Sequence, residues 1–129
     1  MTDTSSRVEK GLAVRRKVLG DEYVDRAMKN GWDFAQPFQA FITEFCWDGV
    51  WNRPGLGHRE RSLINLGMIA ALNRSAELET HVKAAINNGV TPEEIREAFI
   101  QVTAYCGVPA GVECFRVARK AFADLELDV

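Results

Sequence analysis

The chain has 129 residues, a length typical of one domain, and 47% of them are hydrophobic, which suffices for a single buried core. Its 16 basic and 18 acidic residues are scattered, so the sequence favours neither a nucleic-acid partner nor a membrane surface. The polar N-terminus and the lack of a long apolar run predict no signal peptide and no transmembrane helix, and we expect a cytoplasmic protein with one domain over residues 1–129.

Helix signals begin close to the start of the chain. Ser6 followed by Glu9 matches a capping box, and Gly20 is suited to the end of the helix that follows. Asp21 is expected to cap a short second helix, which ends at Asn30-Gly31.

An aromatic-rich helix and a loop come next. Pro37 fits the first turn of a third helix, which we expect to run to about Trp47. The segment over residues 48–57 contains three glycines and one proline and therefore predicts a loop. Because Trp51 and Arg53 lie within it, we expect this loop to be functional.

The second half of the chain predicts four helices. A central apolar helix runs from His58 or Arg59 to about Leu72, and Ser75 can cap the next helix, which ends at Asn88-Gly89.

The strongest start signal follows these two helices. In the segment Thr91-Pro92-Glu93-Glu94 an N-cap residue, a first-turn proline and a capping glutamate occur together. That helix reaches about Tyr105 and is broken at Gly107-Val108-Pro109, and a last helix spans about Ala110 to Asp124. With no sustained strand alternation, the sequence predicts an all-α bundle of six to seven helices.

His81 is the first candidate for chemistry. On the helix from Ser75 it shares a face with Leu78, Val82 and Ala85, so its imidazole is expected to point inward. A core histidine satisfied by one hydrogen bond would give the same pattern.

Three more polar side chains are candidates on their residue type. Glu44 lies beside Phe45 and one turn from Phe41, where desolvation would raise its pKa and suit it to proton transfer; an exposed glutamate on the helix flank is the plainer alternative. Arg53 and Arg61 can bind carboxylates through two parallel hydrogen bonds, although solvated surface arginines are common.

The aromatic residues Trp47, Trp51 and Tyr105 are candidates for a pocket wall, and ordinary packing is the alternative. The three cysteines form no CxxC pair, which predicts reduced thiols and neither a disulfide framework nor a zinc site.

Five stretches of the sequence together resemble the carboxymuconolactone decarboxylase family, and the likeness extends from about Gly11 to Phe122. They occur in the family's order. These stretches are VRRKVLGDEYVDRA from Val14, PFQAFITEFCWDGVWNRPGL from Pro37, RSLINLGMIAAL from Arg61, HVKAAINNGVTPEEIREAFIQ from His81 and YCGVPAGVECFRVA from Tyr105.

The resemblance also separates this chain from the alkylhydroperoxidase-like members of the same superfamily, whose hallmark is CxxCxxxH. If His81 matches the motif histidine, the cysteine positions fall on Arg74 and Glu77, and the acidic relay position falls near Ser62. Peroxidase chemistry is therefore disfavoured.

The resemblance implies the bundle of the alkylhydroperoxidase-like type and decarboxylation of 4-carboxymuconolactone to 3-oxoadipate enol-lactone, a step of protocatechuate catabolism. The substrate takes up the electron pair itself, so we expect no metal and no organic cofactor. It also implies a small dicarboxylate as ligand and a homo-oligomer, a trimer or a hexamer.

The resemblance assigns roles to the candidate residues. Arg53 and Arg61 would bind the acetate carboxylate, and His81 would donate a proton or contact the developing oxyanion. Glu44 would orient His81 or share the proton transfer, and the two tryptophans would keep water from the departing carboxylate.

Departures from the family pattern leave the substrate open. Cys46, Asp48, Gly57-His58 and Glu113-Cys114 are unusual for the family, and the first three border the predicted loop. A related lyase or isomerase acting on another small acid or lactone, and a non-catalytic oligomer that binds a small acid, therefore stay as alternatives.

Overall fold

The computed structural model describes residues 4–29 and 32–129, and within them every regular element is helical. The all-α prediction is confirmed. The chain forms two compact units, residues 1–57 and residues 58–129, which are described separately. Among the described residues, no helix has the length and the apolar character needed to cross a membrane.

The first unit consists of short helical elements. Their bounds are α1 Thr4–Leu19, α2 Asp21–Lys29, a 3-10 turn Asp33–Ala35, α3 Gln36–Ile42 and a π-helical segment Thr43–Asp48.

Its first two helices test the predicted boundaries. Ser6 lies inside α1, so its predicted role as the capping residue is wrong. Gly20 has a φ of 91° and its N–H donates to the carbonyl of Arg16 at 2.8 Å, which confirms the predicted helix end. Asp21 is the first residue of α2 itself, and the predicted end at Asn30-Gly31 lies outside the described residues.

The predicted third helix is not one continuous α-helix. Pro37 lies in the first turn of α3 as expected, but the α-helical pattern ends at Ile42. In the π-helical segment the N–H groups of Gly49 and Trp51 donate to the carbonyls five residues back, at 3.0 and 3.1 Å. Such segments are rare and are often found at functional sites.

Helix α1 lies directly against this π-helical segment. Gly11 allows the close approach, because an added Cβ would lie 2.0 Å from the carbonyl oxygen of Thr43. Val14 and Val18 are buried on the same side of α1. Helix α1 and the π-helical segment therefore pack backbone to backbone at this position.

The second unit contains four α-helices in its described residues. Their bounds are α4 His58–Ala71, α5 Ser75–Asn87, α6 Pro92–Cys106 and α7 Val108–Asp124.

The boundaries of these helices agree with the predicted ones to within two residues, with one difference in capping. The break after α6 is confined to Gly107, because α7 begins at Val108 rather than Ala110. The capping box is present: Glu94 N–H donates to Thr91 Oγ1 at 3.1 Å, and Thr91 N–H donates to Glu94 Oε1 at 2.9 Å. Ser75 is the first residue of α5, so its predicted capping role is wrong; its hydroxyl donates to Glu113 on α7 at 2.5 Å.

The core of the second unit lies between its four helices. Phe99 on α6 is fully buried and contacts Phe115 on α7 edge-on, with ring centroids 6.1 Å apart. The buried side chains of this core are Leu66, Ala70, Leu78, Val82, Ala85, Val90, Ile95, Phe99, Val102, Cys114, Val117, Ala118 and Ala121.

Candidate functional site

In the first unit, Glu44 belongs to a group of paired charges. Its Oε1 lies 2.9 Å from Arg7 Nη1, and Arg7 Nε lies 3.7 Å from Asp48 Oδ2. Asn52 donates a further hydrogen bond to Asp48 Oδ1 at 3.1 Å. The helix pattern did not reveal that Glu44 and Asp48 share the cation Arg7.

Trp47 and Trp51 form a stacked pair in the same unit. Their ring centroids are 5.2 Å apart with an angle of 22° between the planes, and both side chains are buried. The guanidinium carbon of Arg15 lies 6.0 Å from the centre of the Trp47 ring, within the range of a cation–π contact.

Arg15 was missed by the sequence reasoning. It is only 5% exposed, and its Nη1 donates to Gln39 Oε1 at 3.0 Å, to Thr43 Oγ1 at 3.4 Å and to Met28 Sδ at 3.9 Å. Burial lowers the pKa of this guanidinium. The available signal was its spacing, because Arg7, Gly11 and Arg15 recur every fourth residue on one face of α1.

Arg53 and Arg61 differ in exposure. Arg53 is exposed in the loop after the π-helical segment, where its backbone N–H donates to the carbonyl of Val50 at 3.0 Å. Arg61 is half-buried in the first turns of α4 in the second unit. Tyr105, near the end of α6, is 85% exposed.

His81 lies on α5 among buried residues, as its spacing predicted. Leu78, Val82 and Ala85 are all buried, and the Nδ1 atom of His81 is buried without a hydrogen-bond partner among the described residues. Burial lowers the pKa of His81, and Glu77 only partly offsets this effect. The imidazole is therefore neutral at neutral pH.

In the second unit, Ser62 lies near the position where the peroxidase motif would have its acidic relay residue. Ser62 on α4 is fully buried, and Asn88 Nδ2 donates to its Oγ at 3.0 Å. This contact connects α4 to the end of α5 and gives the buried Ser62 hydroxyl a hydrogen-bond partner. The position thus carries no ionisable acid.

A cavity of about 480 Å³ lies elsewhere in the second unit, beside α6, α7 and the C-terminal residues. Phe99, Phe115 and Phe122 contribute to its walls, and Arg96 and Arg119 also line it. None of the predicted site residues does so, and the cavity therefore gives no support to the predicted roles.

Comparison with known proteins decides the family. The sequence profile described as "Carboxymuconolactone decarboxylase family" matches residues 36–120, which is more than half of the chain. The chain belongs to the carboxymuconolactone decarboxylase family.

Two of the similar relatives cover more than nine-tenths of the chain, and a third covers a shorter stretch. The nitrosuccinic acid decarboxylase of Metarhizium robertsii is 45% identical over 117 residues, which are 91% of this chain and 82% of that protein. The 4-carboxymuconolactone decarboxylase of Acinetobacter baylyi is 43% identical over 92% of this chain and 89% of that protein. A 4-carboxymuconolactone decarboxylase sequence of Pseudomonas putida is 46% identical over 41 residues, 32% of this chain and 85% of that sequence.

The cysteines of this family member lack the environment of a peroxidase site. If His81 matches the histidine of the peroxidase motif, the cysteine positions of that motif fall on Arg74 and Glu77, at the start of α5. All three cysteines are free thiols, and burial raises the pKa of Cys114 to about 11, which makes it a poor nucleophile.

Proposed function

We propose that this protein is a carboxy-lyase that removes CO2 from a small dicarboxylate, with 4-carboxymuconolactone as the leading substrate. The observation that carries the proposal is the 43% identity to a 4-carboxymuconolactone decarboxylase over 92% of the chain. The product would be 3-oxoadipate enol-lactone, an intermediate of aromatic catabolism through protocatechuate.

The chemistry of this substrate explains how amino-acid side chains alone can suffice. When the carboxylate on the ring carbon leaves as CO2, the electron pair of the broken C–C bond stays on the ring. It is delocalised through the ring double bond onto the carbonyl oxygen of the lactone. Protonation at the carbon next to the carbonyl then gives the enol-lactone. Since the ring acts as the electron sink, we propose that neither a metal nor an organic cofactor takes part.

Nitrosuccinic acid is the second candidate substrate, because a decarboxylase of that acid is 45% identical over 91% of the chain. The two molecules share one arrangement around the reacting carbon: a departing carboxylate, a carboxymethyl arm and a group that accepts the electron pair. In nitrosuccinic acid the acceptor is the nitro group, which becomes a nitronate. Both substrates therefore need a cation for the arm and a donor for the new oxyanion.

His81 is the residue that we propose for the oxyanion or the proton. As a neutral imidazole it carries one N–H and one acceptor nitrogen, so it can donate a hydrogen bond to a developing oxyanion or pass on a proton. Its buried Nδ1 has no hydrogen-bond partner in the described part of the chain, which supports a role toward a ligand. Burial also strengthens any such bond, because little water competes for it.

The remaining roles are proposals of unequal support. Arg61, half-buried on α4, is a better candidate for a carboxylate than the exposed Arg53. The stacked tryptophans are suited to excluding water from a departing carboxylate. Glu44 already pairs with Arg7, which favours an electrostatic role, and the exposure of Tyr105 gives no support to a pocket wall.

The deciding experiment offers both substrates to purified, chelator-treated protein, with ultraviolet detection of substrate loss and parallel measurement of CO2. We expect chelator-resistant turnover of one of them, with the preferred substrate identified by the ratio of kcat/KM values. Well-folded protein that releases CO2 from neither acid would contradict the proposal and favour the lyase, isomerase or ligand-binding alternatives.

A variant tests the role of His81 in the same assay. His81→Gln is expected to lower kcat about a hundredfold or more while KM changes little, because the lost interaction acts mainly in the transition state. His58→Gln removes the other histidine and serves as the matched control. Equal losses in both variants would show that His81 has no special role.

We further propose that the protein is cytoplasmic and forms a homo-oligomer, a trimer or a hexamer. An exposed apolar stripe along α4 and the residue that follows it supports assembly: Ile64, Met68 and Leu72 recur every fourth residue and are all exposed. The mixed surface charge of the sequence favours neither nucleic acid nor a membrane as partner.

A further inference from the structure

Arg15 is a buried cation for which the described residues provide no anion. Its side chain is 5% exposed, and no Asp or Glu of the described chain lies within ion-pair distance of it. The two acids of the neighbouring π-helical segment, Glu44 and Asp48, both pair with Arg7. Burying a charge is unfavourable unless an opposite charge compensates it.

The neutral contacts of Arg15 leave much of its hydrogen-bonding capacity unused. All three hydrogen bonds come from Nη1, whereas the buried Nε has no partner among the described residues. A guanidinium has five N–H donors, and its Nε and an Nη together form the fork that binds a carboxylate. Three of the five N–H donors, those on Nε and Nη2, therefore have no acceptor among the described residues.

The surroundings of Arg15 are suited to holding this fork in place. Gln39 and Thr43 restrain one Nη atom, and the ring of Trp47 lies 6.0 Å from the guanidinium carbon. Thr43 is itself oriented by a 2.7 Å hydrogen bond from its Oγ1 to the carbonyl of Gln39. The ionisable groups that act on Arg15 are Tyr23 and Cys46, and neither is a carboxylate.

We infer that Arg15 is the anchor for a carboxylate of the substrate, in a site that the first unit forms from Arg15, Gln39, Thr43 and Trp47. The inference rests on the proposed function for the chemical class of the ligand, a small dicarboxylate with a carboxymethyl arm. Arg15 binds and orients the carboxylate that remains on the product, which makes it a determinant of specificity.

Binding is tested with succinate. It has the two carboxylates needed for binding, but because it has no electron sink it is not decarboxylated. Succinate is expected to raise the melting temperature of the wild-type protein in a saturable manner, as a ligand of the folded state must. Arg15→Met is expected to weaken succinate binding at least about thirtyfold, because the buried charge partner is lost.

The matched control is Arg16→Met, which removes the same charge from the next position. Arg16 already pairs with Asp21 and Asp25 at the surface of α1 and α2. This variant is expected to bind succinate as the wild type does. Equal weakening in both variants would overturn the inference, because it would show a general charge effect.

The stability of Arg15→Met without ligand separates binding from a purely structural role. If Arg15 has no counter-ion in the absence of ligand, its replacement by methionine removes an uncompensated buried charge. The melting temperature is then expected to stay the same or to rise. A marked fall in melting temperature, with succinate binding unchanged in the folded fraction, would overturn the inference in favour of an internal tie between helices.

A second variant keeps the test decisive if methionine prevents folding. In Gln39→Glu a carboxylate replaces the amide whose oxygen lies 3.0 Å from Arg15 Nη1, so the protein carries its own counter-ion. We expect a higher melting temperature without ligand and at least about tenfold weaker succinate binding. Unchanged succinate affinity in Gln39→Glu, or no succinate binding by the wild type, would overturn the inference.

Turnover separates this inference from the proposed function. Succinate binding that depends on Arg15, with no CO2 released from either candidate substrate, would leave the anion site standing and overturn the decarboxylase proposal. Turnover by Arg15→Met with an unchanged KM would support the decarboxylase and overturn the role of Arg15.

Discussion

Arg15 and Arg16 are neighbours in sequence, but their surroundings shift the pKa of the two guanidinium groups in opposite directions. Arg16 lies at the surface, where the hydrogen bonds that it donates to Asp25 and Asp21 raise its pKa. Arg15 points to the other side of α1, where burial lowers its pKa and its hydrogen bonds are to neutral acceptors. The first is a surface ion pair of small net effect, whereas the second is available for an anion.

Histidine burial gives a prediction for stability as a function of pH. The pKa of His81 is lowered in the folded state, so as the pH falls the unfolded chain takes up this proton first. Protonation then favours unfolding. We expect the wild-type free energy of unfolding to decrease as the pH is lowered through about 6.5, and His81→Gln to reduce this decrease, as measured by urea unfolding at a series of pH values.

The chain contains one other histidine, which provides the control for this measurement. His58→Gln should retain the decrease, because His81 is still present. A slope that disappears in His58→Gln and persists in His81→Gln would show that the buried imidazole is not its source.

The π-helical segment is the element that matters most for the first unit. It carries Glu44, Trp47 and the Thr43 hydroxyl that contacts Arg15. Its hydrogen bonds to the fifth residue back shift each side chain relative to an α-helix, which changes the face on which it lies. Close contact with α1 at Gly11 accompanies this geometry.

Gly11 therefore gives a prediction about element packing. Gly11→Ala would place a Cβ 2.0 Å from the carbonyl oxygen of Thr43, so α1 and the π-helical segment must move apart. We expect a loss of about 1–3 kcal/mol in the free energy of unfolding, measured by urea unfolding. Weaker succinate binding should accompany the loss, since Thr43 and Arg15 would separate.

Gly67 is the matched control, because it is also inside a helix but an added Cβ would meet no atom within 4 Å. Gly67→Ala on α4 is expected to stabilise the protein by up to about 1 kcal/mol through helix propensity. Similar destabilisation by both substitutions would show that the contact at Thr43 is not the cause.

At the scale of the whole molecule, the exposed stripe of α4 gives a prediction about assembly. We expect native mass spectrometry at micromolar concentration to show three or six copies of the 14.4 kDa chain. Met68→Glu, which puts a charge in the middle of the stripe, is expected to shift the population to smaller species, because a buried unpaired charge is unfavourable.

A control for assembly introduces the same charge on a polar exposed position. The variant Gln101→Glu on α6 should form an oligomer with the same number of copies as the wild type. A monomeric wild type at micromolar concentration would contradict the predicted oligomer, and equal dissociation in both variants would contradict the assignment of α4 to the interface.

Signals between residues close in sequence predicted the helices of the second unit and several helix boundaries. The capping box at Thr91, the left-handed glycines at 20, 89 and 107 and the inward face of His81 depend on residues close in sequence. Interactions over a few residues are set by backbone geometry and side-chain type, and a sequence displays both. The likeness to the family is also a property of the amino-acid sequence, and it extends over almost the whole chain.

Other features depend on residues far apart in the chain. The break from α-helix to π-helix at Thr43, the pairing of Glu44 with Arg7 and the burial of Arg15 all require α1 to lie against a segment about thirty residues later. Periodicity assigns a side chain to a face, but the partner of that face and the distance of approach follow from packing. The burial of Arg15 and His81, which lowers the pKa of each, therefore depends on tertiary contacts, because desolvation acts through space.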